Sequence, residues 1–407
     1  MKELKPETIS KYYENHFPLE RFTSLIDITD FHNREFGFVI GEDRFVRNIS
    51  FHKPKEMLDF MIKNSVKHAY VGAVYETPPS KEFPIQKIKW KYREFIFDID
   101  IDEYDAYDED GKYVGVRTCG CKGDVFCKDC WSLVQDAAVF IDQTMKEDFG
   151  FKEIVWFYSG RRGVHAWILD KITRDFDQPQ RLAILDYLTF VHDKKRTQSI
   201  EEIPNEAKPL RNRIYALVAK SYLERSFLPS LFHPVNPLLQ CKRCNSKMKA
   251  YEVISEAIGK EIKGMSFDKI ESTIKEYQIK CPYCHGEKLE NYSRKELKEE
   301  LNKLNEFGLT ENKAKRIIKR VKEIDNFDHN QYNILIPENT KLRRYLSNQI
   351  LLYRYPRIDR KVTMDTRRVS RMPFSIHGKT GQIAIDITKK IRDFYPDSAP
   401  QVQDYFE

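Results

Sequence analysis

The spacing of apolar positions changes several times along the chain, and each change predicts a different kind of element. Up to about residue 40, Tyr12, Tyr13, Phe17 and Phe22 stand among charges in a helical pattern. From there to about residue 102 the pattern becomes strand-like. FGFVI, RFVRNISF, HAYVGAVYE and WKYREFIFDID are apolar runs parted by polar spacers and by the Thr77-Pro78-Pro79-Ser80 turn. Trp131 to Phe149 reads as an amphipathic helix, with Leu133, Ala137, Phe140, Ile141 and Met145 spaced for one face. A continuous apolar strand, Glu153 to Tyr158, is broken by Ser159-Gly160-Arg161-Arg162-Gly163 and resumes in Val164 to Leu169.

Residues 178 to 232 are mostly helical in pattern. Between about Pro234 and Asp328 the chain changes character. Leu301, Leu304 and Phe307, and then Ala314, Ile317, Ile318 and Val321, recur at helical spacing on either side of Gly308, which predicts a helical hairpin with a polar outer face. The C-terminal part returns to mixed structure, with a helix around Leu342 to Tyr353 and a turn-containing strand pair in PFSIHGKTGQIAIDI. The expected organisation is a first core segment over 1–233, an insertion over 234–328 and a second core segment over 329–407.

A chain of 407 residues is long enough for about two to three domains. A formal net charge of +7 permits a polyanionic partner without establishing one. No window approaches the ~18 uninterrupted apolar residues of a membrane span, and the N-terminal MKELKPETISKYYENHF has no secretory apolar core, so a soluble intracellular protein without a membrane partner is expected. All eight cysteines fall into two quartets: Cys119, Cys121, Cys127 and Cys130, then Cys241, Cys244, Cys281 and Cys284. In a reducing compartment, quartets built on Cys-x2-Cys read as tetrahedral thiolate zinc sites rather than disulfides. The second quartet, with thirty-six residues between its pairs, has the form of a zinc ribbon with a long helical insertion. Its Lys- and Arg-rich knuckles suit nucleic acid, or a metal-stapled insertion that only folds.

FIFDIDID sets Asp98, Asp100 and Asp102 at every second position, and on a strand alternate side chains share a face. Carboxylates about 6 to 7 Å apart repel one another in the absence of a cation, whereas divalent metal turns the same row into a set of oxygen ligands. A strand end running into the acidic loop EYDAYDED is the plainer alternative for Asp102 and beyond. The SGRRGVH turn supplies the opposite charge: guanidinium forks bind phosphate oxygens bidentately, and glycine lets backbone approach closely.

KYREFIFDIDIDEYD, VRTCGCKGDVFCKDCW and KEDFGFKEIVWFYSGRRGVHAWILD together resemble the small, catalytic subunit of archaeo-eukaryotic DNA primases. The resemblance extends to NREFGF, VGAVYE and PRIDRKVTMDTRRVSRMPFSIHGKTG, covering residues about 30 to 225 and about 350 to 390. It implies an α+β fold with mixed and antiparallel sheets flanked by helices, the primase-type catalytic core, here carrying a helical, zinc-ribbon-bearing insertion. Asp98 and Asp100 match the family's metal-binding pair. Asp359 in Pro356-Arg357-Ile358-Asp359 matches the distant third member, with Asp365 a nearby rival. Asp102 has no carried-over role.

Ser159, Arg161, Arg162 and His165 match the nucleotide-phosphate motif, Arg371 stands at a basic triphosphate contact, and His377 matches the histidine of the SxH segment. Glu35 and Arg47 correspond more loosely to positions near the incoming nucleotide, or are ordinary strand charges. Cys119, Cys121, Cys127 and Cys130 match the family's structural zinc knuckle, although the first pair is Cys-x-Cys here. The second quartet lies outside the family pattern.

The implied activity is template-directed synthesis of short RNA or DNA primers from nucleoside triphosphates on single-stranded DNA, with catalytic Mg²⁺ or Mn²⁺ and one or two structural Zn²⁺. The implied partners are a primase large subunit and, as a further candidate, a replicative polymerase. The compartment is the cytoplasm for an archaeal-type source and the nucleus for a eukaryotic one. Two alternatives stay open: a primase-polymerase or end-joining polymerase that extends primers, and a non-catalytic zinc-bearing nucleic-acid-binding protein.

Overall fold

The computed structural model describes residues 4–406 except 107–114, 118, 120, 190–199, 201–202, 204–206, 226–236, 263–264 and 339. The expected boundary at residue 233, and part of the helical stretch expected over 178 to 232, lie outside the described residues. The chain forms two compact units. The first comprises residues 1–113, 123–193 and 356–407, and the second 114–122 and 194–355, which contains the insertion expected over 234–328.

In the first unit, α1 (Pro6–Asn15) and α2 (Leu19–Ser24) precede an antiparallel sheet of β1 (Arg34–Ile40), β2 (Arg44–Ile49), α3 (Pro54–Lys63) intervening, and β3 (His68–Tyr75). β1 lies between β2 and β3, and β3 also pairs with β4 (Trp90–Tyr92) and with the two-residue strand Ser370–Arg371. The helix α3 was not legible as such in the polar spacer before HAYVGAVYE. Its Met57, Leu58 and Met61 are buried in a core shared with Tyr12 and Tyr13 of α1 and Phe36 and Phe38 of β1.

A second antiparallel sheet has the order β5 (Phe95–Asp100), β7 (Gly163–Ile168), β6 (Ile154–Tyr158). The helix α4 (Lys128–Glu147) packs on β5 and β7. It is fastened by two indoles: Trp131 Nε1 donates to Phe394 O at 2.9 Å, and Trp156 Nε1 donates to Asp142 Oδ1 at 3.0 Å. β5 stops at Asp100, and Ile101–Tyr104 form one turn of 3₁₀ helix, so Asp102 lies past the strand end, the plainer of its two sequence readings. The expected strand pair in PFSIHGKTGQIAIDI reduces to isolated bridges, Ile376 with Ile383 and Phe157 with Asp386, because the turn at residues 377–381 closes on itself through Thr380 and Gly381 N–H bonds to His377 O.

The dipeptide Arg93-Glu94 before β5 is buried, and both side chains are bonded. Arg34 and Glu94 pair bidentately, both contacts at 2.8 Å, with side chains 0% and 1% exposed. Arg93 reaches the other way, donating to Val362 O at 3.2 Å, Asp365 O at 2.8 Å and Ser370 Oγ at 2.6 Å. Arg181 caps the carbonyls of Arg93 and Glu94 at 2.7 and 3.2 Å. The segment that follows Asp359 is thereby clamped to the start of β5.

The second unit is built differently. A small sheet orders β10 (Leu289–Asn291), β8 (Leu238–Cys241) and β9 (Lys247–Lys249), all antiparallel. It packs with helices Ala250–Ile258 and Phe267–Glu276 around Ile254, Ile270, Cys241 and Cys281. The expected helical hairpin is present as Tyr292–Glu306 and Glu311–Lys322, turning at Gly308, whose φ of 78° is left-handed.

Removing one partner of a buried pair leaves an uncompensated charge. Glu94→Ala is expected to lose about 3–5 kcal/mol of stability in urea unfolding. A loss within about 1 kcal/mol, the range of an exposed pair, would show that Arg34 is satisfied without it.

Candidate active site

β5 and β7 pair in a register that sets Asp98 opposite His165 and Asp100 opposite Gly163. His165 Nε2 lies 3.2 Å from Asp98 Oδ1. A Cβ on Gly163 would overlap Asp100 Oδ1 and sit 2.6 Å from Ile99 O, so the residue facing Asp100 has to be glycine. Between the two strands, residues 159–163 close a tight turn: Ser159 N–H donates to Gly163 O at 2.9 Å, and Gly163 N–H donates to Ser159 Oγ at 3.2 Å. Gly160 has a φ of 88°, and a Cβ there would lie 2.8 Å from His377 Cβ. The SGRRG turn and the SIH segment are therefore in direct packing contact, joined also by Thr380 Oγ1 donating to Gly160 O at 2.6 Å.

Asp359 reaches this region through its backbone. Its N–H donates to Asp98 O at 2.9 Å. Its Oδ1 caps the short helix Arg360–Met364, accepting from Lys361 N at 2.8 Å and Val362 N at 3.1 Å. Asp365, the sequence rival, ends that helix, and its Oδ1 accepts from Arg367 N. The two strand aspartates and Asp359 thus meet at one place in the fold. They do not gather as tightly as the thiolates. Among the described residues, only the two cysteine quartets bring three or more such ligand atoms within 4.8 Å of one another.

Arginines that sequence alone would aim at phosphate are engaged with carboxylates. Arg162 Nε lies 3.1 Å from Asp100 Oδ2, its Nη2 2.9 Å from Asp102 Oδ2 and its Nη1 2.9 Å from Asp124 Oδ1. Arg161 pairs with the other oxygen of Asp124. Arg371 donates to His68 Nδ1 at 2.8 Å and lies over the Tyr70 ring at 4.7 Å. The His68 and His377 rings stand edge to face at 4.6 Å. Arg47 stands apart, gripping the buried Glu35 bidentately at 3.0 and 3.0 Å.

Asp102, Asp124 and His68 are thus members of this charge network that sequence reading passed over. Asp124, lodged in the cysteine loop, carried no local signal of its own.

The electrostatics follow from burial. Burial pushes Asp98 up, but His165, then Arg368 and Arg162, outweigh it and hold the carboxyl below the usual carboxylate range. Burial first and the Asp98 charge second push Asp100 up to about 7, against the pull of Arg162. Burial opposes a charged His165, yet Asp98 and then Asp100 raise it. Burial, helped by Arg371, pushes His68 down to about 3 and His377 to about 2, so both are neutral near pH 7.

The donor set fits divalent cations. Asp102 Oδ1 is buried with no hydrogen-bond partner among the described residues, and the buried Asp98 Oδ1 has the His165 contact alone, an arrangement that hard oxygen-seeking ions relieve. Each quartet fits a tetrahedral thiolate ion, for which Zn–S bonds of ~2.3 Å imply sulfurs about 3.8 Å apart. Cys127 and Cys130 are 3.9 Å apart, Cys241 and Cys284 3.5 Å, and Cys244 and Cys281 3.7 Å. Both quartets could bind zinc.

A family model described as DNA primase small subunit matches residues 97–388, well over half of the chain's 407 residues. The DNA primase small subunit of Saccharomyces cerevisiae is 25% identical over 402 residues, covering 97% of this chain and 83% of that protein. That of Schizosaccharomyces pombe is 35% identical over 192 residues, 46% of this chain and 40% of the relative. The archaeal DNA primase small subunit of Methanocaldococcus jannaschii is 25% identical over 190 residues, 44% of this chain and 51% of the relative.

An unfolded histidine takes up a proton below about pH 6.5, whereas native His68 and His377 stay neutral until near pH 3 and 2. Between those limits the unfolded state binds more protons, so stability present above pH 6.5 is lost as the pH falls. His377→Gln is expected to reduce the proton uptake on unfolding at pH 5 by about one per molecule, read from the pH slope of urea-unfolding free energies. A slope identical to that of the parent protein would contradict the buried neutral imidazole.

Proposed function

The chain belongs to the DNA primase small-subunit family, and on that premise we propose that it is the catalytic subunit of a DNA primase, joining nucleoside triphosphates into short primers on single-stranded DNA. The observation that carries this reading is the Asp359 N–H bond to Asp98 O, which ties a residue some 260 positions later in the chain to a strand whose Asp100 already faces Arg162.

In this reading Asp98, Asp100 and Asp359 hold the catalytic magnesium or manganese. When bound, such ions lower the pKa of an attacking 3′-hydroxyl and neutralise charge on the α-phosphate. The remaining roles belong to the protein's own groups. Arg161 and Arg162 present guanidinium forks to the triphosphate, for which they exchange the Asp124 carboxylate they hold now. Ser159 keeps the turn closed through its hydroxyl, which fixes where the two forks start.

His165, its pKa raised by its contact with Asp98, stands where it can donate to a phosphate oxygen while keeping Asp98 ionised. Arg371, propped by neutral His68 and flanked by His377, supplies a further cation for the leaving pyrophosphate. Arg47 holds Glu35 and so acts on the nucleotide only through the shape of the β1–β2 surface.

The two cysteine quartets are read as structural zinc sites, closed by four thiolates and with no open coordination position. The family resemblance supplies the large subunit as partner. A soluble replication protein fits either cytoplasm or nucleus, and no described helix is long and apolar enough to cross a membrane.

The test of activity uses unprimed single-stranded template, ribo- or deoxyribonucleotides and Mg²⁺ or Mn²⁺. New short primers are expected, with loss of at least about a hundredfold in Asp98→Ala, Asp100→Ala and Asp359→Ala, while each variant still unfolds cooperatively and Asp359→Ala melts lower for want of its helix cap. Extension of supplied primers alone would move the chain to the primer-extending branch, and binding without synthesis would remove the enzymatic reading.

The metal reading has its own measurement: elemental analysis of the purified chain should find about two zinc per molecule, falling to about one in Cys244→Ser. A parent protein with one zinc would leave the second quartet without its metal.

A further inference from the structure

The second unit contains a built feature that the family match does not explain. Its two knuckles are copies of one another. Cys241-Lys242-Arg243-Cys244 is followed by Asn245 at a φ of 63°, and Cys281-Pro282-Tyr283-Cys284 by His285 at 55°. In each, the residue after the second cysteine donates its N–H to the first cysteine's carbonyl at 2.9 Å. The copies differ in what they display. The first carries Arg243, whose Nη1 reaches across to Cys284 O at 3.4 Å. The second carries Tyr283, 68% exposed, an aromatic ring held outward on a loop whose own cysteines are tied inward. A tyrosine placed only to pack would turn its ring toward the module's core, as the 7% exposed Tyr251 does.

One residue before the first knuckle, Gln240 begins a groove of about 380 Å³. Its walls are the β8–β10 sheet and the helices Phe267–Glu276 and Tyr292–Glu306. Four cations line it. Arg294 is neutralised by Asp268 and Glu271, both at 2.8 Å, and the groove's other acid, Glu290, is held by Lys242 at 2.6 Å. Lys275, Lys295 and Lys298 have no acidic partner among the described residues. Among the described residues the groove therefore keeps an unbalanced positive charge, and the knuckle pair that opens directly after Gln240 displays an aromatic ring and a guanidinium.

Phosphate-tracking cations beside an exposed ring are the two components of sequence-tolerant single-strand binding, where bases stack on aromatics and the backbone follows a basic channel. We propose that this knuckle module is a contact site for single-stranded nucleic acid, with Tyr283 as a stacking platform, Arg243 beside it, and Lys275, Lys295 and Lys298 along the backbone path. The proposal rests on the primase reading for the identity of the strand, the template, and on the geometry of the second unit alone for its place.

The experiment measures binding of a fluorescein-labelled oligothymidylate to the full-length, zinc-loaded chain by anisotropy, without nucleotides, over a range of salt. Tyr283→Ala should weaken binding about tenfold, and Tyr283→Phe should restore it, because stacking needs the ring and not the hydroxyl. Lys295→Ala with Lys298→Ala should flatten the logarithmic salt slope by about 1.4, the value for two lost phosphate contacts on a single strand. Zinc content and melting temperature must match the parent in each variant, which separates lost contacts from lost folding. Binding and salt slope unchanged in both variants would overturn the proposal. Primer synthesis by the parent is scored separately: its absence would sink the primase reading, while unchanged binding in the variants would sink only the module's role.

Discussion

The site depends on a single return of the chain. The Asp359 N–H bond to Asp98 O is one hydrogen bond among many, but it is made where two segments far apart in sequence have to register to within one residue. It does not act alone. Arg93, five residues before Asp98, holds the carbonyls of Val362 and Asp365 and the Ser370 hydroxyl with one guanidinium. Because that guanidinium is buried, losing the partners of its two Nη groups would be costly, so the returning segment can occupy few other positions. Asp359 at one end of that segment and Arg371 at the other, just after Ser370 on the edge of β3, inherit their places from this clamp.

Around that clamp the charges are arranged in opposition rather than in pairs. Asp98 and Asp100 stand two residues apart on one strand, and their mutual repulsion falls unequally: Asp98 is kept ionised by His165, while burial and its neighbour bring Asp100 to about 7. Arg162 touches Asp100, Asp102 and Asp124, so the basic turn and the acidic strand neutralise each other. An incoming triphosphate with its cations could take over both halves of this arrangement, phosphate in place of Asp124 and metal in place of the arginine. On the proposed reading stability and binding then draw on the same side chains, which is why the site holds its cations and anions within reach of each other.

Much of this was legible locally. FIFDIDID, SGRRGVH and the cysteine pairs are short-range patterns, and the register of β5 against β7 turns them into a site with no further information. The parts that were not legible are set by distant partners. Asp102 looked like the end of an acidic loop and became a ligand of Arg162 only because the chain turns into a 3₁₀ helix at Ile101. His68 looked like the start of a strand, and its meaning comes from Arg371, three hundred residues later. PKEMLDFMIK was read as spacer because its apolar positions are few, yet burial of Met57, Leu58 and Met61 against α1 makes it a helix. The paired strands expected after Pro373 failed for the opposite reason: alternation was present, but the tight turn at His377 spends the backbone groups that a ladder would need.

The two cysteine quartets have the same chemistry and different mechanical consequences. Cys127 and Cys130 form the first turn of α4, where the Cys127 N–H donates to Cys130 Sγ at 3.2 Å, so a metal there would fasten the end of a twenty-residue helix that packs on β5 and β7. The loop they close also carries Asp124, and with it the present partner of Arg161 and Arg162. Holding that loop therefore sets how far the Arg161 and Arg162 guanidiniums are restrained, and on the proposed reading a structural ion there would act on the reaction at one remove. The second quartet closes a three-stranded sheet whose buried cluster includes Cys241 and Cys281 themselves. On the zinc reading, in so small a core the sulfurs and their ion would replace the apolar area that the sheet lacks, and the residues between the cysteines would be released from packing. Arg243 and Tyr283 are among those residues, so a module stapled by metal would be free to leave its most distinctive side chains in solvent.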